Sequence, residues 1–134
     1  MKIYIASSWK NEHGVQQLTE SLRKQGHEVI SWIENNYGEN HNHVTKKMDF
    51  ETWVNSPESD QSFKFDTEGA GTCHLLIYYG PAGKDACFEA GIAYGKGIPI
   101  IGLHAKGEDL GLMRKAISWV RTVKDLLEAT KPIK

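Results

Sequence analysis

The chain has 134 residues, enough for a single domain, 1–134, that buries about two-thirds of its unfolded surface. Hydrophobic residues make up 40% and charged residues 25%, as in a soluble globular protein, and 16 Lys and Arg against 17 Asp and Glu leave a net charge of −1. The charges are intermixed, so no basic stripe invites duplex nucleic acid or a membrane surface, and no apolar run reaches the ~18 residues of a transmembrane helix.

Met1-Lys2 leads straight into a strand pattern, with no signal peptide ahead of it. Two cysteines, Cys73 and Cys87, make neither a disulfide framework nor a CxxC pair. The expectation is a cytoplasmic protein with buried thiols.

Lys2 to Ala6 (KIYIA) predicts a first strand, and Ser7-Ser8-Trp9 a turn. From Asn11 to Gln25 the apolar residues Val15, Leu18 and Leu22 recur at helical spacing, and Gly26 is a stop signal. His27 to Ile33 (HEVISWI) predicts the second strand. Glu34 to Val44 is polar, rich in Asn and Gly, and reads as a loop; loops of this length are often functional. A short helix over Thr45 to Asn55 would present Met48, Phe50 and Trp53. Ser56-Pro57 has a cap and a first-turn proline, and opens a helix running to about Cys73 past Gly69 and Gly71.

His74 to Tyr79 is a near-continuous apolar run ended by Gly80-Pro81, the pattern of a strand buried on both faces. After the small-residue loop Gly80 to Gly83, a helix runs from Lys84 to Lys96. Ala86, Ala90, Gly91 and Ala93 let it pack closely, and Gly95 and Gly97 end it. Ile98 to Ile101 begins the next strand, completing a βαβ unit. Glu89 sits inside this close-packed helix among Ala, Cys, Phe and Gly, where a carboxylate is unfavourable unless paired or used. Gly107 to Lys115 is a loop entering a short helix, Ala116 to Val120 a last strand, and Thr122 caps a helix over Val123 to Thr130.

Alternating strands and helices with short links predict a doubly wound α/β fold, a five-stranded parallel sheet of flavodoxin-like order 2-1-3-4-5. Such sheets bind ligands outside the carboxyl ends of the strands, at the switch point between strands 1 and 3. That rule selects Ala6, Ser7, Ser8 and Trp9, then Trp32 with the loop Glu34 to Val44, then Gly80, Pro81, Ala82 and Gly83, with Lys84 and Glu89 beside them.

The segments MKIYIASSW, Ser56-Pro57 with Phe63 and Asp66, and GPAGKDACFEAGIAYGKGIPI resemble the nucleoside 2-deoxyribosyltransferase-like superfamily over about residues 1 to 130. The branch that it resembles consists of small proteins with an ASSW turn and a PCGRSAHLEAG-type loop and helix. The resemblance implies an enzyme, a hydrolase or glycosyltransferase, that cleaves the N-glycosidic bond of a nucleoside or nucleotide. Glu89 would be its nucleophile and Asp66 would share the catalytic site. An oxocarbenium-like transition state is stabilised by a nearby carboxylate that can also trap it. The layout is also similar to TIR domains, which offers NAD as an alternative substrate; a further alternative is a nucleotide-binding module without catalysis. The resemblance implies no metal and no redox cofactor. The chain departs from the pattern where Cys73-His74 replaces an Asp-containing pair and where Gly83 stands six residues before Glu89, which points to hydrolysis or an altered acceptor.

Each candidate has a plainer reading. Ser7 and Ser8 contact a sugar or phosphate or simply turn the chain, and Gly80 to Gly83 with Lys84 hold a phosphate or form a tight turn. One of Trp9, Trp32 and Trp53 stacks on a base or fills the core. His41 and His43 read as surface residues and His74 as a hydrogen-bonded structural one. Met48, Phe50, Trp53 and Phe63 carry more apolar area than a surface segment needs, which predicts a homodimer or higher homo-oligomer.

Overall fold

The computed structural model describes residues 1–37, 49–109 and 111–132. Strands β1 (Lys2–Ala6), β2 (Glu28–Ile30), β3 (Leu75–Tyr79), β4 (Ile100–Leu103) and β5 (Ser118–Val120) pair in parallel in the order β2-β1-β3-β4-β5. This is the expected flavodoxin-like α/β sheet. Around it lie helices α1 (Glu12–Lys24), α2 (Trp32–Asn36), α3 (Phe50–Val54), α4 (Pro57–Thr72), α5 (Lys84–Gly95) and α6 (Val123–Ala129). Among the described residues no helix is long and apolar enough to cross a membrane.

The register of β1 on β3, from Ile3 opposite Leu75 to Ala6 opposite Tyr78, decides which side chains share a face. Side chains alternate along a strand, so Ile3, Ile5, Leu75, Ile77 and Tyr79 point one way and Tyr4, Ala6, Leu76 and Tyr78 the other. On the side of the first set, Tyr79 packs against Gly14 of α1, which buries Val15, Leu18 and Leu22, and α6, which buries Leu126, packs against β4. The second set meets α4 and α5. Gly69 on α4 is required there: a Cβ would lie 2.6 Å from Tyr4 Cδ2. That close approach explains a glycine tolerated inside a helix despite its propensity cost.

Local chemistry moves several boundaries. β2 stops at Ile30, and Trp32 and Ile33, expected in the strand, open α2 instead. Ser31 accepts a hydrogen bond from the Glu34 backbone N–H at 3.1 Å, and S-x-x-E is a capping-box sequence that overrides the β-favouring run. β4 begins at Ile100, because the Ile98 N–H is already donated to the Ala93 carbonyl at 2.9 Å in the turn that ends α5. The short helix expected to end at Lys115 is the 3₁₀ turn Leu112–Ala116, which takes Ala116 from the expected last strand, so that β5 begins at Ser118. Of the segment Thr45 to Asn55, Phe50–Val54 is helical, with the Asp49 side chain as its cap. Gly38 to Met48, which carry His41 and His43 and most of the expected loop, lie outside the described residues.

Candidate active site

The site forms where β1, α4 and α5 meet. The β1 alternation turns Tyr4 toward the helices and leaves it with no solvent exposure. A buried tyrosine hydroxyl needs a partner, and Tyr4 donates its hydrogen bond to Glu89 Oε2 on α5. Glu89 is 8% exposed, and among the described residues Oε1 takes no protein hydrogen bond. The Asp66 carboxyl, on α4, lies near the Tyr4 hydroxyl and lines the same cleft, and its Oδ1 is buried with no partner among the described residues. Two buried carboxylates that feel each other's charge favour an extra proton on one of them.

The electrostatics follow. The Glu89 carboxyl is raised to about 8: burial is the largest cause, the Tyr4 hydrogen bond opposes it, and the charges of Asp66 and Asp85 add to it. Burial likewise raises Asp66 to about 6, again opposed by Tyr4 and assisted by Asp85. Burial first, and then the Glu89 and Asp66 charges, push the Tyr4 hydroxyl far above the ordinary tyrosine value, so Tyr4 stays protonated.

Glu89 and Asp66 line a cleft of about 590 Å³, within the range of small-molecule sites. Trp9, Trp32, Trp53, Phe63 and Phe88 supply its aromatic wall. Trp32 is anchored by its Nε1–H donated to the Ile5 carbonyl at 2.7 Å, and Trp9 stands edge-on against it at 4.8 Å between centroids. Lys84, the first residue of α5, reaches the same cleft.

The structure therefore gathers Glu89, Asp66, Trp9, Trp32 and Lys84 in one place. Ala6, Ser7, Ser8, Gly80, Pro81 and Gly83 do not line the cleft. Ala6 is packed in the core. The Ser7 hydroxyl is donated to the Tyr79 carbonyl at 2.8 Å and accepts from Asn11 at 3.1 Å, and Ser8 caps the following turn by accepting from the Lys10 N–H at 3.2 Å. Asn11 also donates to the Pro81 carbonyl at 2.8 Å, and Gly83 serves as the N-cap of α5. His74 Nδ1 accepts from the Lys2 N–H at 2.9 Å, a structural role.

Two features lay beyond the sequence reading. Tyr4 was visible only as a strand residue; its partner is 85 positions away. The second is Glu108, whose side chain is 3% exposed and whose Oε1 accepts from Tyr78 at 2.7 Å and Arg114 at 2.8 Å. Its Oε2 packs against Gly80, where a Cβ would lie 2.6 Å away, and the Tyr78 hydroxyl also reaches the Ala82 carbonyl at 3.1 Å. This cluster holds the β3–α5 loop, and with it the start of the helix that carries Glu89.

The protein is thus a five-stranded flavodoxin-like α/β sheet with the Tyr4–Glu89 pair, and Asp66 beside it, at the sheet–helix junction. The whole chain superimposes on 98% of a 2-deoxyribosyltransferase from Bacillus psychrosaccharolyticus with a TM-score of 0.71 and 25% identity. A CMP N-glycosidase of Clostridium botulinum shares the fold over 96% of this chain and 97% of its own, with a TM-score of 0.62 and 22% identity. So does a conserved protein of Enterococcus faecalis, over 98% and 97%, with a TM-score of 0.70 and 20% identity. No family model and no curated protein matches the sequence. The first likeness, complete over both chains, supports a nucleoside 2-deoxyribosyltransferase-like family, in line with the sequence motifs.

Proposed function

We propose that the protein is an enzyme that breaks the N-glycosidic bond of a nucleoside or nucleotide, with Glu89 as nucleophile and water or another molecule as acceptor. The observation that carries this reading is Glu89 itself: buried, tied to Tyr4 through one oxygen, and lining an aromatic-walled cleft. The small residues of α5 leave room for a sugar to approach the carboxylate.

In the reading, ionised Glu89 attacks the anomeric carbon through Oε1. The glycosidic C–N bond breaks, and its electron pair leaves with the base, which takes up a proton. A glycosyl ester on Glu89 remains. The acceptor then attacks the same carbon, loses its proton and restores the carboxylate. Tyr4 fixes the carboxylate and stabilises its charge as the base departs. Asp66 Oδ1, buried and without a partner among the described residues, is an acceptor suited to a sugar hydroxyl. A tryptophan of the wall packs on the base. No step calls for a metal or a redox cofactor. The free cysteines, Cys73 buried and Cys87 half-buried, suit a reducing, cytoplasmic setting.

The test is incubation with 2′-deoxynucleosides, nucleoside monophosphates and NAD, with released base read by mass spectrometry. Release by the native protein, lost in Glu89→Gln, is expected. No released base from any of them would overturn the reading.

Homo-oligomerisation belongs to the same proposal. Phe50, Trp53 and Phe63 are 74%, 50% and 65% exposed, and Trp53 and Phe63 border the cleft, so a second copy packed there would close it. Light scattering at tens of micromolar is expected to give a multiple of the single-chain mass; the single-chain mass would refute it.

A further inference from the structure

We propose that Asp85 is the base of the second half of the reaction: it takes the proton of the acceptor as that molecule attacks the glycosyl ester on Glu89. This rests on the N-glycosidic reading above and adds a catalytic residue to it.

The helix sets the geometry. α5 turns Lys84, Asp85, Phe88 and Glu89 into the cleft, so Asp85 and Glu89, four residues apart, share one face. Cβ atoms at that spacing lie about 5–6 Å apart. The two carboxyl groups of enzymes that cleave glycosides through a covalent intermediate stand about 5–5.5 Å apart. Glu89 is 8% exposed, whereas Asp85, one turn nearer the start of the helix, is exposed. An acceptor arriving from solvent meets Asp85 before it reaches the ester.

The other ionisable groups that line the cleft among the described residues suit this role less. Lys84 as an ammonium has no lone pair to receive a proton. Asp66 stands on α4 with its Oδ1 buried, where a sugar hydroxyl can use it. Glu58 is two turns before Asp66, about 12 Å along the axis of α4. Asp85 alone of these carboxylates is both exposed and on the helix of the nucleophile.

The step balances. The acceptor, water or an N–H of a base, forms its bond to the anomeric carbon. The bond from that carbon to Glu89 Oε1 breaks, and its electron pair returns to the carboxylate. The acceptor's proton passes to Asp85 and from there to solvent.

The charge of Asp85 raises the carboxyls of both Glu89 and Asp66, which gives the role a distinctive sign. If Asp85 acted on Glu89 through its charge alone, removing it would help both steps. Glu89 would ionise more readily as nucleophile and would leave more readily from the ester. Loss of a base instead slows the second step and spares the first.

The experiment compares the native protein with Asp85→Asn and Asp85→Glu on 2′-deoxynucleosides and their 5′-monophosphates. Rapid quench reads base release in the first turnover, and intact-protein mass reads the ester. In Asp85→Asn, first-turnover release is expected at the native rate or faster. The ester is expected to accumulate and to decay at least about tenfold more slowly than the native protein turns over. Azide, a nucleophile with no proton to lose, is expected to restore its decay and give a glycosyl azide, and Asp85→Glu to keep part of the native rate. Circular dichroism checks the fold, and Asp85→Ser is read in the same way if Asp85→Asn does not fold. Turnover of Asp85→Asn at the native rate, base release slowed as much as ester decay, or decay that azide does not accelerate would each overturn the inference and leave the N-glycosidic reading standing. No base released from any compound by the native protein overturns that reading, and this inference with it.

Discussion

The two faces of the sheet are built from the same strands and do different work. On the α1 side, Ile3, Ile5 and Ile77 meet Val15, Leu18 and Leu22, a dry aliphatic contact. On the α5 side the strands present Tyr4 and Tyr78, and the helix answers with Ala86, Glu89, Ala90 and Ala93. One face gains stability from removing apolar area from water, about 1.5–3 kcal/mol for each fully buried aliphatic side chain. The other spends part of that stability on carboxyl groups held where they resist ionisation. A strand's two-residue alternation is enough to keep the two roles apart.

That division predicts mutations whose effects separate cleanly. The largest is Glu89→Gln, expected to lower turnover by roughly a thousandfold or more with an unchanged fold by circular dichroism. Its stability effect has a definite sign. The carboxyl is raised from 4.5 to about 8, so the native state's advantage from holding it protonated is complete below about pH 4.5 and lost as pH rises through 8. The variant should therefore melt above the native protein at pH 9, and the gap should close on acidification toward pH 5. A variant melting below the native protein at pH 9 would break the comparison.

Leu22→Ala on the opposite face should cost about 2–5 kcal/mol in denaturant unfolding while leaving the rate per folded molecule unchanged. Gly69→Ala should cost about 1–3 kcal/mol, because its Cβ collides with the Tyr4 ring, and unlike Leu22→Ala it should also slow turnover. The smallest effects are shifts in the pH profile. The rising limb of kcat/KM, set by ionisation of Glu89, should move to higher pH in Tyr4→Phe, which removes a hydrogen bond to the carboxylate, and to lower pH in Asp66→Asn, which removes a neighbouring charge. Movement of both in one direction would show that Tyr4 and Asp66 do not act on Glu89 in opposite senses.

The sheet order, α5 and the Ser56-Pro57 start of α4 were legible in the sequence because apolar runs, small-residue spacing and caps are local signals. Glu89 was legible because a carboxylate in the middle of a helix of small, close-packing residues is out of place. The end of β2 was not, since the Ser31–Glu34 capping pattern competes with a β-favouring run and either could prevail until tertiary contacts decide. Tyr4 with Glu89, and Tyr78 with Glu108, join residues 85 and 30 positions apart, and no local pattern announces such pairs. Nor could sequence show that Ser7 and Ser8, at the carboxyl end of β1 as the switch-point rule requires, would use their hydroxyls to shape the turn.

Trp9 and Trp32, 4.8 Å apart with planes at 79°, both line the cleft. Indoles so close couple their electronic transitions, and the sign and size of the resulting dichroic couplet depend on their mutual angle. A base stacking on either ring would change that angle or quench its emission, whereas Trp119, on β5 at the edge of the sheet, would be left unaltered. The cleft thus carries its own optical reporter, with an internal reference in the same chain, and occupancy can be followed without labelling protein or ligand.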